Sequence, residues 1–166
     1  MPALQADTQA PEVSLSSIDG KPFTLSSARA KGPVVLAFFK ISCPVCQFAL
    51  PYLQRIFKAH ESSGKMTIVG ISQDSAADTQ AFTKKYGITF PVLLDELRRY
   101  PASNAYRLTN VPSIFMVSPD GRIELSSVGW SRAEMQQLNE RLAQADGAAP
   151  ALLFSPGEQV PEYKPG

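Results

Sequence analysis

Residues 34–46 read Val-Val-Leu-Ala-Phe-Phe-Lys-Ile-Ser-Cys-Pro-Val-Cys, and this stretch decides how the chain is expected to fold. Its apolar run, Val34–Phe39, has the length and composition of a strand buried on both faces, as in the centre of an α/β sheet. The residues that follow repeat apolar side chains at helical spacing, which predicts a helix over 44–60. The sequence therefore places Cys43 and Cys46 where a buried strand passes into a helix.

Strands and helices alternate on both sides of this junction. One hairpin is predicted across Asp19-Gly20 and another across Asp120-Gly121, because these dipeptides favour tight turns. The predicted strands cover 13–18, 23–25, 34–39, 66–71, 90–94, 113–117 and 123–128, and the predicted helices cover 44–60, 75–86 and 131–145, with a loop or short helix over 96–107. The pattern indicates an α/β fold with a mixed sheet and helices on both faces.

The length of 166 residues predicts one domain with extensions. We expect an N-terminal arm over 1–9, the domain over 10–146 and an irregular C-terminal tail over 147–166, in which Leu152-Leu153-Phe154 is apolar enough to dock. No apolar run approaches the roughly 20 residues of a membrane span, and no signal peptide is visible. A cytoplasmic location is therefore expected, with a periplasmic or extracytoplasmic location as the alternative if a leader has been removed.

The composition limits the chemistry that the chain can perform. Lys and Arg number 16 against 15 Asp and Glu, so the net charge is +1, and the absence of a basic block argues against nucleic acid or an anionic membrane as partner. The chain has one histidine, His60, and two cysteines. A histidine triad, a histidine-rich metal centre and a scaffold of disulfides are therefore disfavoured. His60 is expected to be a solvated cap, or one favoured by the helix dipole, at its helix end.

Two cysteines at a helix N-terminus favour thiol–disulfide chemistry. The thiolate is the nucleophile in such exchange, and the unpaired N–H groups of a helix end stabilise it. Pro44 suits the first helical turn, where its missing N–H costs nothing. Cys43 is predicted to attack, Cys46 to resolve, and Lys40 to add a positive field. Half of a zinc site and a pair of inert buried thiols remain alternatives.

At this point the sequence resembles the thioredoxin-like superfamily over roughly residues 10–145. The resemblance is carried by the strand that leads into the Cys-Pro-Val-Cys motif, by Pro51 within the following helix, and by Val111-Pro112. It implies that the Val111-Pro112 bond is cis and faces the cysteines. It also implies that Pro44, Val45, Val111 and Pro112 form the substrate-binding surface. The alternative for Pro112 is an ordinary proline at the start of a strand.

The N-terminal hairpin and the segments 70–74 and 90–95 look like one branch of that superfamily, the redoxin or alkyl hydroperoxide reductase–thiol-specific antioxidant type, which includes membrane-anchored thiol:disulfide reductases. The resemblance implies a three-layer α/β/α sandwich with a strand and helix inserted after the cysteine helix. It implies no cofactor beyond the redox-active Cys43–Cys46 disulfide, and no metal. The implied partners are a disulfide-bearing protein or small thiol and an electron-donor or acceptor protein, acting on a monomer or weak dimer.

Three departures from the resembling families bear on function. Ser42 precedes the motif where thioredoxins have Trp, Pro-Val lies between the cysteines where they have Gly-Pro, and Ala37 stands where they have a buried Asp that assists the resolving thiol. Proton transfer from Cys46 is therefore assigned to water, Lys40 or Glu96, and the direction of electron flow stays open.

Other positions bear on the alternatives to a thiol:disulfide oxidoreductase. A thiol peroxidase that uses Cys43 as peroxidatic and Cys46 as resolving cysteine lacks its usual Thr or Ser and Pro, because Lys40 and Leu36 occupy those positions. Copper chaperones of this fold use a different cysteine spacing and a distant histidine. A non-catalytic thioredoxin-like binding module is the remaining alternative.

Overall fold

The structure is a computed structural model that describes residues 2–166, so Met1, the first residue of the predicted arm, lies outside the described residues. The strands are β1 (Ser14–Ser17), β2 (Pro22–Thr24), β3 (Val34–Phe39), β4 (Thr67–Ser72), β5 (Val92–Leu94), β6 (Ser113–Val117), β7 (Ile123–Val128), β8 (Trp130–Ser131) and β9 (Tyr163–Lys164). The helices are α1 (Leu25–Arg29), α2 (Pro44–His60), α3 (Ala76–Tyr86), α4 (Pro101–Ala105) and α5 (Arg132–Asp146).

Seven strands form one mixed sheet in the order β2-β1-β5-β4-β3-β6-β7. β3 pairs parallel with β4, and β4 pairs parallel with β5, whereas β6 and β7 continue the sheet antiparallel on the other side of β3. The predicted α/β class with a mixed central sheet and an N-terminal hairpin is confirmed. β3 lies inside the sheet, so the strand that leads to the cysteines is held on both sides.

Helices cover both faces of the sheet and create two cores. Alternate residues of β3 enter each one: Val35, Ala37 and Phe39 pack with α2, α3 and α5, whereas the other three pack with α1, α4 and the N-terminal arm. All six side chains of β3 are fully buried. Burial of this much apolar surface is the main stabilising term, and it fixes the end of β3 from which the active-site loop emerges.

Short elements account for the differences from the predicted boundaries. The chain turns into α1 at Leu25, where the sequence predicted the end of a strand, because the Thr24 side chain accepts a hydrogen bond from the Ser27 N–H at 3.3 Å. Five residues are too few to show helical periodicity. Helix α2 continues past Pro51 as one helix.

The tail (residues 147–166) is irregular over much of its length, but it packs on the domain. Leu153 is fully buried, and the Asn139 amide both donates to the Ala151 carbonyl at 2.9 Å and accepts from its N–H at 3.1 Å. Further along, β9 pairs antiparallel with β8. The expected docking of the apolar 152–154 segment occurs through Leu153 and Phe154, while Leu152 stays exposed.

Within residues 2–166, no helix combines the length and the apolar character needed to cross a membrane. The predicted limits of the arm, domain and tail stay predictions. The arm itself packs closely, since Ala3 is buried and the Asp7 N–H donates to the Ile123 carbonyl at 2.8 Å.

Candidate active site

Cys43 is the N-cap residue of helix α2. Its sulfur accepts a hydrogen bond from the backbone N–H of Cys46 at 3.1 Å, as a capping side chain does. Pro44 occupies the first turn, where no backbone N–H is needed. Both cysteines are free thiols, and the Cys43 side chain is only partly buried. The structure thus presents one accessible sulfur at the positive end of a helix.

Cys46 lies in a different environment, one turn inside α2. Its side chain is fully buried in the core that α2 shares with β3. Burial raises the pKa of this thiol well above its ordinary value, and the hydrogen bond with Cys43 raises it further. A backbone hydrogen bond from Lys40 acts in the opposite direction without reversing the result. Cys46 therefore holds its proton at neutral pH.

The loop before β6 supplies the surface that faces Cys43. The Val111-Pro112 peptide bond is cis, as the resemblance implied. The Val111 carbonyl oxygen lies 3.5 Å from the Cys43 sulfur, which donates to it as a thiol. The loop is held from both sides, because the Ser113 hydroxyl donates to the Asn110 carbonyl at 2.7 Å and the Gly129 N–H donates to the Pro112 carbonyl at 2.8 Å. Val111 and Pro112 are therefore brought to the cysteines.

Asp74, which sequence reasoning did not select, holds the loop that leads into the motif. Its carboxylate accepts the Ile41 N–H at 2.8 Å, and the Gln47 side-chain amide donates to the Ile41 carbonyl at 2.9 Å. The Asp74 carboxylate also contributes to raising the pKa of Cys46 by its negative charge. Its position just after β4, beside the end of β3 in a parallel pair, is the signal that could have identified it.

Lys40 and Glu96 occupy different surroundings. Lys40 is exposed and lines a groove of about 220 Å³ together with Gln73 and residues 108–111, so it borders the Cys43 approach through the loop of Val111. Glu96 pairs with the neighbouring Arg99 at 3.5 Å on the surface. Ala37 is fully buried in β3, and its methyl group offers Cys46 no proton acceptor.

The His60 side chain is not solvated, so that alternative was wrong, while its place in the last turn of α2 is as expected. The side chain is buried, and its Nδ1 lies 2.6 Å from a carboxylate oxygen of Asp146 at the end of α5. The partner is distant in sequence, and a single histidine at a helix end carries no signal of it. The pair belongs to the packing of α2 on α5, and the mechanism described below does not use it.

Among residues 2–166, no three side chains of His, Cys, Asp or Glu are grouped so that they could hold a metal ion. The Cys43–Cys46 pair accordingly has no further ligand set around it in the part of the chain that the structure describes.

The fold recurs in known proteins. The solution structure of a Bacteroides thetaiotaomicron protein proposed to be a protein disulfide isomerase aligns with a TM-score of 0.80 at 23% identity, over 89% of this chain and 95% of its own. A secreted disulfide oxidoreductase of Mycobacterium tuberculosis, homologous to E. coli DsbE, aligns with a TM-score of 0.64 at 26% identity, over 80% and 95%. The chain is thus a thiol:disulfide oxidoreductase of the thioredoxin fold.

Sequence comparison gives the family. The model of the AhpC/TSA family matches residues 6–126, a span that includes both cysteines and Pro112, and the chain belongs to this family. The thiol-disulfide oxidoreductase ResA of Bacillus subtilis is 30% identical over 121 residues, which are 73% of this chain and 66% of ResA. The redoxin branch identified from the sequence is confirmed.

Proposed function

We propose that Cys43 is the attacking thiol and Cys46 the resolving thiol of this oxidoreductase. The observation that carries the proposal is the contrast between the two sulfurs. The Cys43 sulfur is accessible and accepts a hydrogen bond from the Cys46 N–H at the N-terminus of α2. The Cys46 side chain is fully buried, and its pKa is raised. A negative charge on the Cys43 sulfur is stabilised by that N–H and by the helix end, which favours it as the nucleophile.

The exchange proceeds in two balanced steps. The Cys43 thiolate attacks one sulfur of the substrate disulfide, a bond forms between these sulfurs, the substrate S–S bond breaks, and the departing thiolate takes a proton from solvent. Cys46 then loses its proton, attacks the Cys43 sulfur and expels the second substrate thiolate. The substrate gains two electrons, and the dithiol becomes the Cys43–Cys46 disulfide. The electrons come from the two cysteines, so neither a flavin nor a metal is required.

The raised pKa of Cys46 makes the second step depend on proton removal. Ala37 supplies no carboxylate at the position behind this sulfur, and Glu96 is bound to Arg99 on the surface. Water is therefore the proposed proton acceptor. Lys40 stays the proposed electrostatic modulator, because it lines the same groove as Val111.

The proposed substrate is either a protein that carries a disulfide or a small thiol compound. Pro44 is exposed, Val45 and Val111 are half-buried and Pro112 is buried, so the first three offer apolar surface next to the motif and its facing loop. Such a surface suits the backbone and side chains next to a cystine. A second protein that supplies or accepts electrons completes the cycle. A secreted relative supports the extracytoplasmic alternative for location, while the cytoplasmic location stays a prediction.

Reduction of insulin by dithiothreitol, followed as turbidity, tests this proposal. The wild-type protein should accelerate the reaction, and Cys43→Ser should lower the catalysed rate by about 100-fold or more, since it removes the nucleophile. Ser42→Ala is the matched control, because it removes a hydroxyl from the adjacent exposed position.

Equal rates for the wild-type protein and Cys43→Ser would reject catalysis and favour a binding module. Rapid consumption of hydrogen peroxide by the reduced protein, dependent on Cys43, would instead show a thiol peroxidase.

A further inference from the structure

The segment 161–166, here called the strap, runs beside the active site although it is distant from the cysteines in sequence. The indole N–H of Trp130 donates to the Pro161 carbonyl at 2.8 Å, and the Arg132 N–H donates to the Glu162 carbonyl at 2.9 Å. Lys164 then pairs with Trp130 in the β8–β9 ladder. These bonds direct the strap along β8 toward the loop that carries Val111 and Pro112.

At its end, the strap packs against the carbonyl group next to the accessible sulfur. The Asn110 side-chain amide donates to the Gly166 carbonyl at 3.0 Å. A Cβ atom added to Gly166 would lie 2.6 Å from the Val111 carbonyl oxygen, so only glycine fits this approach. That same oxygen lies 3.5 Å from the Cys43 sulfur. The strap thus occupies a flank of the space around Cys43.

The strap also contacts helix α2. The Lys164 ammonium group lies 5.2 Å from the centre of the Phe48 ring, a distance suited to a cation–π contact, and Phe48 follows Cys46 closely in the helix. The strap therefore touches both elements that carry the proposed mechanism, the loop of Val111 and the helix of the cysteines.

The preceding part of the tail is anchored, which holds the strap in place. The Glu158 carboxylate accepts hydrogen bonds from Arg55 at 3.1 Å and from the Tyr52 hydroxyl at 2.5 Å, and both donors belong to α2. Arg55 also donates to the Leu153 carbonyl at 2.6 Å. A segment fixed at several points is displaced at a cost in free energy, because those contacts must break together.

We propose that the strap is a specificity element that keeps bulky disulfides away from Cys43. The inference rests on the proposed attack by this sulfur. During attack the three sulfurs align, and the groups attached to the substrate sulfurs extend into the space around Cys43. A small disulfide fits beside the strap. A disulfide set in the surface of a bulky folded protein meets the strap, and the clash lowers the rate for that substrate relative to a disulfide in a small compound or a small polypeptide such as insulin.

The test compares small and bulky reagents at the same sulfur in the full chain. In the double variant Asn110→Ala, Gly166→Val, the strap loses the hydrogen bond from the Asn110 amide to the Gly166 carbonyl. It also gains a side chain at position 166 that overlaps the Val111 carbonyl. Alkylation of Cys43 by a maleimide with a bulky dye should become about threefold faster or more, while alkylation by iodoacetamide should change less than about twofold. Gln159→Ala, at an exposed tail position outside the strap, is the matched control and should leave both rates unchanged.

A bulky-reagent rate that stays at the wild-type value, or falls, would overturn the proposal. Thermal unfolding shows whether the double variant is folded, and Gly166→Val alone is used if it is not. Alkylation does not require disulfide exchange. The two proposals are therefore tested separately. The alkylation rates can contradict the role of the strap while insulin reduction supports catalysis, and the reverse result is equally distinguishable.

Discussion

Cys43 and Cys46 carry the same thiol group, and helix α2 gives each sulfur a different environment. The first caps the N-terminus of the helix and is partly accessible, and the second is fully buried one turn further on. The backbone N–H of Cys46 points at the Cys43 sulfur, so the position of one cysteine contributes to the reactivity of the other. A spacing of two residues therefore produces one accessible sulfur and one buried sulfur, which is the contrast on which the proposed roles rest.

This contrast predicts selective alkylation. Reduced, folded protein treated with iodoacetamide at neutral pH should be modified at Cys43 at least about tenfold faster than at Cys46, because a buried thiol with a raised pKa supplies little thiolate. Peptide mapping by mass spectrometry measures the two rates, and the same reaction in denaturant is the control. Similar rates for the folded protein would contradict the assignment.

The buried pair of His60 and Asp146 is a second feature at the scale of single residues, and it contributes to the stability of the fold. The Ser63 side chain and then His60 hold the pKa of Asp146 below its ordinary value of 3.8. A lowered folded-state pKa means that the carboxylate stabilises the fold above that ordinary value, and that this contribution is lost as the pH falls through the folded-state pKa.

Asp146→Asn should therefore lower the midpoint of thermal unfolding at neutral pH. The difference from wild type should shrink as the pH falls from about 3.8 through the lower folded-state pKa, since the wild-type carboxylate then takes up a proton and loses its charge. Differential scanning fluorimetry over a pH series measures both midpoints. Glu124→Gln, at an exposed position of β7, is the control. A difference that is constant with pH would show that the charge of Asp146 does not contribute.

At the scale of the elements, the docking of the tail depends on the negative charge of the Glu158 carboxylate, which protonation at low pH removes. Arg55 and then the Tyr52 hydroxyl lower the pKa of Glu158 from 4.5 to about 2. The carboxylate therefore stabilises the docked tail above pH 4.5, and this stabilisation is lost as the pH falls from there toward about 2.

Glu158→Gln should loosen the tail at neutral pH without unfolding the domain. The Ser155 N–H, which donates to Glu158 at 3.0 Å, should lose protection from hydrogen exchange in the variant. In the wild-type protein the same protection should decrease as the pH is lowered from 4.5 toward about 2, because Glu158 then becomes protonated. Amide exchange followed by NMR, corrected for the intrinsic rate at each pH, measures both effects. Protection at Ser155 that is unchanged by substitution and acid would contradict this role of Glu158.

The elements differ in how far the sequence predicts them. β3, β6 and β7 are read correctly, because an apolar run or a strict alternation between turn residues is a local property of the chain. Helices α3 and α5 carry their own caps, in which the Ser75 and Ser131 side chains accept N–H groups of the first turn. The tail docks through Leu153, Glu158 and backbone bonds to β8, none of which produces a periodic pattern.

At the scale of the whole molecule, the sheet order assembles the site from distant segments. Antiparallel pairing of β3 with β6 sets the end of one strand beside the start of the other, so the loop of Cys43 meets the loop of Val111. The family resemblance anticipates this meeting, whereas composition and spacing alone identify only the cysteines. Asp74 and the strap enter through strand pairing and tail docking, which only the folded chain reveals.

The division of labour between the two cysteines is tested most directly by trapping the mixed disulfide. Cys46→Ser, incubated with an oxidised protein substrate, should accumulate a covalent complex through Cys43, because the resolving step is removed and the attacking step remains. Cys43→Ser should accumulate none. Non-reducing mass spectrometry of both variants gives the answer. A complex formed by Cys43→Ser as readily as by Cys46→Ser would contradict the account.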